Sequence, residues 1–190
     1  MAVDNLSCGQ GGSSGLEIIT RLNSLAILDP MASVRLAGNL TQLIPTGTPK
    51  PLECASEVLT QRTGFVASID VKGIPTLQNN SGVDFESVIV SLGLNVEIAS
   101  QGDELEVYVY MSLDSGASWS PYSSDPARIQ GAGTGKPVSI YWESDVPLAK
   151  GAMLQLWGNN GDGSTDADVT FLRTTFRAVA SWRETMQVTP

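Results

Sequence analysis

Hydrophobic and polar residues alternate with a period of two over long stretches of this chain, from residue 65 onward. The longest uninterrupted run covers residues 88–98, and its apolar members are Val88, Val90, Leu92, Leu94, Val96 and Ile98. A β-strand places all six side chains on one face, whereas a helix would scatter them around its circumference. The pattern therefore predicts a long strand with one buried face.

Similar runs precede and follow this one, at residues 65–71, 105–113, 138–142, 154–156 and 169–179. Residues 100–103 form a short turn that contains a glycine, so we expect the strands on either side of it to pair as an antiparallel hairpin. Near Leu172 and Arg173 the apolar phase shifts, which indicates a β-bulge.

Strands at this spacing, each with one apolar face, predict two packed antiparallel sheets. We therefore expect an all-β fold, an antiparallel β-sandwich of jelly-roll type with an extended N-terminal arm.

The N-terminal part of the chain has a different composition. Residues 1–15 are rich in Gly and Ser and predict an arm that is disordered, or ordered only against a partner. Residues 16–22 suit a short helix or a strand, and the pattern leaves both open. Two prolines in residues 46–51 predict a loop, so we divide the chain into an arm and attachment region, 1–50, and a sandwich domain, 51–190.

The charge balance excludes several classes of partner. The 190 residues carry 20 acidic and 11 basic side chains, a formal charge of −9, and the basic residues are spread thinly along the sequence. Nucleic acids and anionic membrane surfaces both require clustered cations, so we expect neither as a partner. We also expect no secretory signal and no membrane span, because the chain lacks the necessary apolar runs.

The absence of histidine bears on catalysis, since it removes the usual Ser-His-Asp and Cys-His systems. Cys8 and Cys54 are expected to be spectator thiols, with neither a disulfide nor a metal. A glycosidase needs only two carboxylates, but the pairs along single strands suit a solvated face better: Asp84 and Glu86, Glu104 and Glu106, Glu143 and Asp145. We therefore expect no enzymatic activity and no cofactor.

Two glycine-rich segments resemble ligand loops only superficially. Residues 131–136 have the wrong spacing for a phosphate cradle and precede a predicted strand instead of a helix, so we expect a plain loop. Residues 159–168 are rich in Asn, Asp and Gly and offer hard oxygen ligands for calcium. The same composition is typical of ordinary turns, which is the interpretation that we favour.

Residues 112–119 match the Asp-box pattern, Ser-x-Asp-x-Gly-x-Ser-Trp. In such a turn the Asp carboxylate accepts backbone N–H bonds, Gly adopts a positive φ, and Trp packs beneath. A propeller fold would need several copies of the pattern, so this single copy predicts a structural hairpin.

Three aromatic residues are out of phase with their apolar neighbours and are expected to face outward. These residues, Tyr108, Tyr110 and Trp157, are our candidate partner contacts. They suit a neighbouring subunit or a sugar ring.

The long strands of residues 83–113, the closing strand at 169–176 and the arm-like start resemble jelly-roll accessory proteins of tailed-bacteriophage virions, namely capsid decoration (cement) proteins and fibre bases. The resemblance implies a structural virion protein that is made in the host cytoplasm and coats a shell. It also implies a homotrimer whose arm grips the major capsid protein or another virion protein. The alternative is a carbohydrate-binding module for host recognition, with a glycan as partner.

Overall fold

A computed structural model of the protein describes residues 30–53, 57–62, 64–162 and 165–180. Within these residues the chain forms twelve β-strands and no helix: β1 (Met31–Ile44), β2 (Lys50–Pro51), β3 (Glu57–Arg62), β4 (Phe65–Ile69), β5 (Pro75–Asn79), β6 (Phe85–Ile98), β7 (Glu104–Ser112), β8 (Ser120–Pro121), β9 (Ala127–Gln130), β10 (Val138–Leu148), β11 (Met153–Asn160) and β12 (Ala167–Ala180). None of the described residues belongs to a helix that could cross a membrane.

The strands form two antiparallel sheets. Sheet A has the order β10-β6-β12-β1-β3. Sheet B has the order β4-β5-β11-β7-β8, and β2 and β9 add to it beside β11 and β7. The predicted all-β, antiparallel sandwich of jelly-roll type is confirmed.

The hydrophobic core lies between the two sheets. All six apolar residues of the run at 88–98 are buried, with exposures of 3% or less. Sheet B contributes the opposite layer, which includes Leu77, Leu105, Val107, Leu154 and Leu156. The alternation therefore predicted which face of each long strand is buried, because a pleated strand sends successive side chains to opposite faces.

The hairpin that we predicted between β6 and β7 is wrong. β6 pairs with β10 and β12 in sheet A, whereas β7 pairs with β11, β8 and β9 in sheet B. Residues 99–103 instead carry the chain across from one sheet to the other. The apolar faces of β6 and β7 therefore meet across the core. A period-two pattern shows which face of a strand is buried, but it does not show whether two such strands pair in one sheet or face each other from two sheets.

The shift of phase in the last strand is confirmed as a bulge. Phe171 pairs with Val96 and Arg173 pairs with Asn95, so Leu172 is an extra residue on β12. After the bulge the inward positions are even-numbered, which buries Thr174 and Phe176. The outward positions then fall on Arg173, Thr175 and Arg177.

The division of the chain at residue 50 does not match the structure. β1 lies in the interior of sheet A, between β12 and β3, and its residues Ala32 and Val34 are fully buried. The sandwich therefore includes residues 31–44, which hydrogen-bond into the sheet instead of forming a separate attachment region. The predicted arm at 1–15, the segment at 16–22 and Cys54 lie outside the described residues.

Candidate functional site

The three candidate contact residues come together on the outer face of sheet B. Trp157 on β11 lies directly opposite Tyr108 on β7. Its ring stacks on that of Tyr110, with centroids 4.2 Å apart and planes 9° apart, and Tyr108 meets Tyr110 edge to face at 6.5 Å. All three are half-buried. We call these three residues the aromatic cluster.

A buried carboxylate closes one end of the aromatic cluster. Glu106 is only 7% exposed, and it accepts hydrogen bonds from the Tyr108 hydroxyl at 2.9 Å and from the Asn159 amide at 3.0 Å. Arg128 on β9 forms an ion pair with it at 3.1 Å. Our expectation that Glu104 and Glu106 form a solvated face is therefore wrong for Glu106, because the side chains around it shield it from water.

Burial, together with the bond to Glu106, raises the pKa of the Tyr108 phenol to about 12. Burial also raises the pKa of Tyr110. Both phenols therefore stay neutral across the physiological range. The aromatic cluster offers neutral hydroxyls and ring surface, and it has no side chain poised to transfer a proton near neutral pH.

Amide side chains continue the network at the other end. The Trp157 indole N–H donates to Gln155 at 3.2 Å, and the Gln155 amide donates to the Thr76 hydroxyl at 3.0 Å. Pro51 and Pro121 lie opposite Trp157 and Tyr110 at the two margins of the cluster. Side chains from four strands thus hydrogen-bond to one another across this face, and much of it is withdrawn from solvent, although the buried Asn159 Oδ1 has no hydrogen-bond partner among the described residues.

The Asp-box turn has the geometry that its sequence predicts. Asp114 accepts the backbone N–H of Ser118 at 2.9 Å and hydrogen bonds from the hydroxyls of Ser118 and Ser112. Gly116 has a φ of 89°, and the Trp119 indole N–H donates to its carbonyl oxygen at 3.2 Å. These bonds, led by the Ser118 hydroxyl, lower the pKa of Asp114 to about 2. The turn is a self-contained structural hairpin.

A row of apolar residues lies along the outer face of sheet A, in which Ile89 is exposed and Val179 and Met31 are half-buried. Ile89 on β6 is 47% exposed and pairs with Val179 on β12, which in turn pairs with Met31 on β1. We call Ile89, Val179 and Met31 the apolar row. Nearby on β10, Tyr141 is 68% exposed. Its hydroxyl donates to Glu143, and this bond raises the pKa of Tyr141.

Around the apolar row, the charges on this face are separated by sign. A cleft of about 350 Å³, which we call the basic cleft, is lined by Met31, Ser33, Arg35, Thr60, Thr175 and Arg177. On the other side of β6 lie Glu143 and Asp145 of β10, which we call the acidic edge. No ion pair joins the arginines of the cleft to any carboxylate among the described residues.

Sequence reasoning missed the basic cleft. Arg35 and Arg177 are 142 positions apart, so they look isolated in the sequence. Only the pairing of β1 with β12 brings them to one face, where Arg35 lies opposite Thr175 and Ser33 lies opposite Arg177. A signal does exist in β12, where Arg173, Thr175 and Arg177 occupy the outward positions after the bulge.

Residues 131–136 form a loop, whereas the segment 159–168 includes the end of β11 and the start of β12, with turn residues at 161–162. Residues 131–136 lead into β10, and the Gly135 N–H donates to the Glu97 carboxylate at 2.6 Å. Asn159 and Asn160 belong to β11, and the Asp162 N–H donates to the Asn160 side chain at 3.3 Å. In the described part of the chain, no three His, Cys, Asp or Glu side chains are grouped as a possible metal site.

Comparison with known proteins finds matches in structure alone. No known protein family and no curated protein matches the sequence. The structure of Eiger TNF from S. frugiperda superposes with a TM-score of 0.51 at 8% identity, over 81% of this chain and 94% of that one.

Two further structures are similar at a lower TM-score of 0.46. The globular domain of the zebrafish complement 1qA protein is 12% identical over 82% of this chain and 98% of its own. Murine APRIL is 9% identical over 81% of this chain and 100% of its own. At 8% identity the likeness to Eiger TNF concerns the fold alone, and it shows that this chain is a jelly-roll β-sandwich similar to that structure.

Proposed function

We propose that this protein is a structural protein of a tailed-bacteriophage virion, which decorates or stabilises the capsid and is not an enzyme. Copies of the chain associate as a homotrimer, and residues 1–15 dock onto the major capsid protein or another virion protein. The chain is made in the host cytoplasm and acts as part of the virion.

The contrast between the two outer sheet faces supports this proposal most directly. Sheet B is closed by its own network of aromatic, amide and carboxylate side chains. Sheet A exposes Ile89 of the apolar row, Tyr141, and two arginines, Arg35 and Arg177, that form no ion pair with any described residue. Exposed apolar residues that are flanked by charges are typical of a protein–protein contact surface.

The composition supports a binding role in a second way. A chain without histidine lacks the side chain best suited to proton transfer near neutral pH. A formal charge of −9 keeps a protein soluble at high local concentration, as a component of an assembling particle must be.

Binding to assembled shells tests the proposal. Shells that lack this protein should take it up saturably, and deletion of residues 1–15 should weaken the uptake at least tenfold while the thermal unfolding of the protein stays unchanged. Val71→Ser is the matched control, because Val71 is fully exposed in the turn between β4 and β5, far from the arm in sequence. Undiminished uptake by the deletion variant would argue against arm docking.

Oligomeric state gives an independent check. Size-exclusion chromatography with light scattering should find a mass of three chains, since one chain is 20.1 kDa. A monomer at micromolar concentration would contradict the proposed self-association and would favour a carbohydrate-binding module instead.

The aromatic cluster supports a second candidate function, a carbohydrate-binding module for host recognition. Trp157 and Tyr110 are half-buried and keep part of their ring surface in solvent, which is the surface on which sugar rings stack, while the amides of Gln155 and Asn159 beside them are buried and hold the rings in place. A glycan array should then show binding that is lost in Trp157→Ala and retained in Leu113→Ala, which changes an exposed turn residue. A negative array would remove this candidate.

A further inference from the structure

We infer that copies of this chain associate through the outer face of sheet A, with the basic cleft of one copy binding the acidic edge of the next. The inference rests on the self-association in the proposed function and names the surface that performs it. The acidic edge, Glu143 and Asp145, supplies the carboxylates, and Arg35 and Arg177 in the basic cleft supply the guanidinium groups.

The basic cleft calls for an anionic occupant. Its six lining residues include two arginines, three hydroxyl-bearing residues and one methionine, with no carboxylate. This is unusual in a chain with 20 acidic and 11 basic residues. Guanidinium groups remain charged at any physiological pH and bind carboxylates through two parallel hydrogen bonds. Two of them in one cleft repel each other until an anion lies between them.

The acidic edge has the complementary property. Glu143 accepts a hydrogen bond from Tyr141, and no cation among the described residues lies within ion-pair distance of either Glu143 or Asp145. Both residues are exposed. Their strand, β10, is the edge strand of sheet A among the described strands, so no described strand shields them on its far side.

Within one chain the described residues of the two groups form no ion pair, although the Arg177 charge is near enough to Tyr141, the hydrogen-bond donor to Glu143, to oppose the rise in its pKa. Glu143 pairs with Ser91 on β6, and Ser91 pairs with Arg177 on β12, so two strand spacings separate Glu143 from Arg177. Two spacings amount to about 10 Å between backbones. The basic cleft extends still farther, to β1 and β3. A second copy that approaches this face can bring its own β10 over the cleft.

The apolar row provides hydrophobic surface that can be buried in the contact beside the ion pairs. Exposed ion pairs contribute little on their own, because water and salt screen them. Ile89, Val179 and Met31 lie one pair of residues along from the row that contains Glu143 and Arg177, and Met31 also lines the basic cleft. Burial of this row would exclude water from the neighbouring ion pairs and strengthen them.

The cleft and the edge are different patches, so the contact between them is heterologous. A heterologous contact forms a closed ring when the rotation that relates one copy to the next divides a full turn into a whole number of steps. Three steps give a trimer. The surface thus accounts for a finite assembly as well as for attraction.

Charge reversal in three variants tests the inference. Arg35→Glu with Arg177→Glu, and separately Glu143→Lys with Asp145→Lys, should each weaken association at least tenfold, measured as the dissociation constant by sedimentation at 0.1 M salt. The variant with all four substitutions should recover to within about threefold of the unmodified protein. The inference is wrong if either pair leaves association unchanged, or if the fourfold variant is no better than the pairs.

Two further variants separate this effect from misfolding and from net charge. Gly93→Trp adds bulk on the same face, where a Cβ atom meets nothing within 4 Å, so it should fold and yet block association. Lys72→Glu with Lys136→Glu changes net charge by the same amount as the cleft variant, at exposed sites in loops, and should leave association unchanged. Thermal unfolding of every variant confirms that it is folded.

The outcomes also distinguish this inference from the proposed function. An unmodified protein that is monomeric overturns both. An oligomer whose dissociation constant is unchanged by the charge reversals overturns the inference alone. If inorganic phosphate or acetate stabilises the protein against heat and Arg35→Glu abolishes that effect, while the oligomer persists, then the cleft binds a free anion and the inference is again wrong.

Discussion

Tyr110 and Trp157 stack with their ring centroids 4.2 Å apart, although they belong to different strands and lie diagonally across the ladder between β7 and β11. A slip of one residue by either strand of that ladder would turn its ring toward the core and bring Val109 or Leu156 outward. The stacked pair on the outer face therefore favours the observed register of β7 and β11. The buried leucines and valines on the inner face favour the same register.

Removal of either ring should destabilise the fold. Trp157→Ala and Tyr110→Ala are each expected to lower the free energy of unfolding by about 2–4 kcal/mol, somewhat less than for fully buried aromatic residues. A double-mutant cycle in urea should give a coupling energy of about 0.5–1.5 kcal/mol, because stacked rings add that much beyond the area that they bury.

A distant, exposed residue provides the control for that cycle. Leu113→Ala changes a side chain that is 73% exposed in the Asp-box turn, and it should shift the free energy of unfolding by less than about 0.5 kcal/mol. Its coupling to Trp157→Ala should be zero within error. A coupling as large as that between Tyr110 and Trp157 would mean that the cycle reports general loosening and not a ring contact.

Tyr108 should make the protein sensitive to high pH. Its pKa is raised to about 12 in the folded protein, against 10.0 as its ordinary value, so folding favours the neutral phenol. The stability that this difference contributes is fully present below pH 10 and is lost as the pH rises from 10 toward 12. The unfolding free energy of the unmodified protein should therefore fall faster over this range than that of Tyr108→Phe. Parallel curves for the two proteins would contradict the prediction.

Asp114 should make the stability of the protein sensitive to acid. Hydrogen bonds, led by that from the Ser118 hydroxyl, hold the pKa of Asp114 at about 2, below its ordinary 3.8. A lowered carboxyl pKa contributes stability that is present above pH 4 and is lost as the pH falls from about 4 toward 2. Asp114→Asn should therefore be less stable than the unmodified protein at pH 7, and the difference should shrink between pH 4 and pH 2.

Ser118→Ala is the companion variant for the acid experiment. It removes the strongest of the hydrogen bonds that stabilise the carboxylate but leaves the backbone N–H bond to Asp114 in place. It should reproduce part of the loss in Asp114→Asn at pH 7. If the unfolding free energies of both variants differ from that of the unmodified protein equally at pH 7 and at pH 2.5, then the ionised carboxylate is not what stabilises the turn.

The sequence predicted the faces of the strands more successfully than their partners. Burial of alternate residues from Val88 to Ile98 follows from the pleat of a single strand, which is local information. The separation of β6 and β7 into different sheets depends on which other strands are available to each, namely β10 and β12 for one and β11 for the other. That choice is made over the whole chain, and a short turn sequence does not encode it.

The candidate sites also divide into features that follow from a single strand and features that depend on strand pairing. Tyr108, Tyr110 and Trp157 were predicted to face outward because their phase opposes that of their apolar neighbours, and the structure places them in one cluster on the outer face of sheet B. The basic cleft joins residues of β1, β3 and β12, so it exists only once those strands pair. Glu106 was misjudged because Arg128 and Asn159, which shield it, approach from two other strands.

Gly131, in the loop between β9 and β10, packs against the crossing between the two sheets. A Cβ atom there would lie 2.1 Å from the Ser100 carbonyl oxygen and about 3 Å from two atoms of Ile98, so backbone would have to move. The same movement would break the hydrogen bond from the Gly131 N–H to the Asp103 carbonyl, which is 2.9 Å long. Gly131→Ala is therefore expected to lower the free energy of unfolding by about 2–4 kcal/mol.

Gly102→Ala is the matched control, since it lies in that crossing and its added Cβ atom would meet nothing closer than 3.8 Å. Gly102 also has no positive φ, so alanine there restricts the unfolded chain without straining the folded one, and the change should be neutral or stabilising by up to about 1 kcal/mol. Urea denaturation of both variants measures the contrast. Equal losses in the two variants would mean that the crossing tolerates no side chain at all, whereas a loss confined to Gly131→Ala places the constraint at the contact with Ser100.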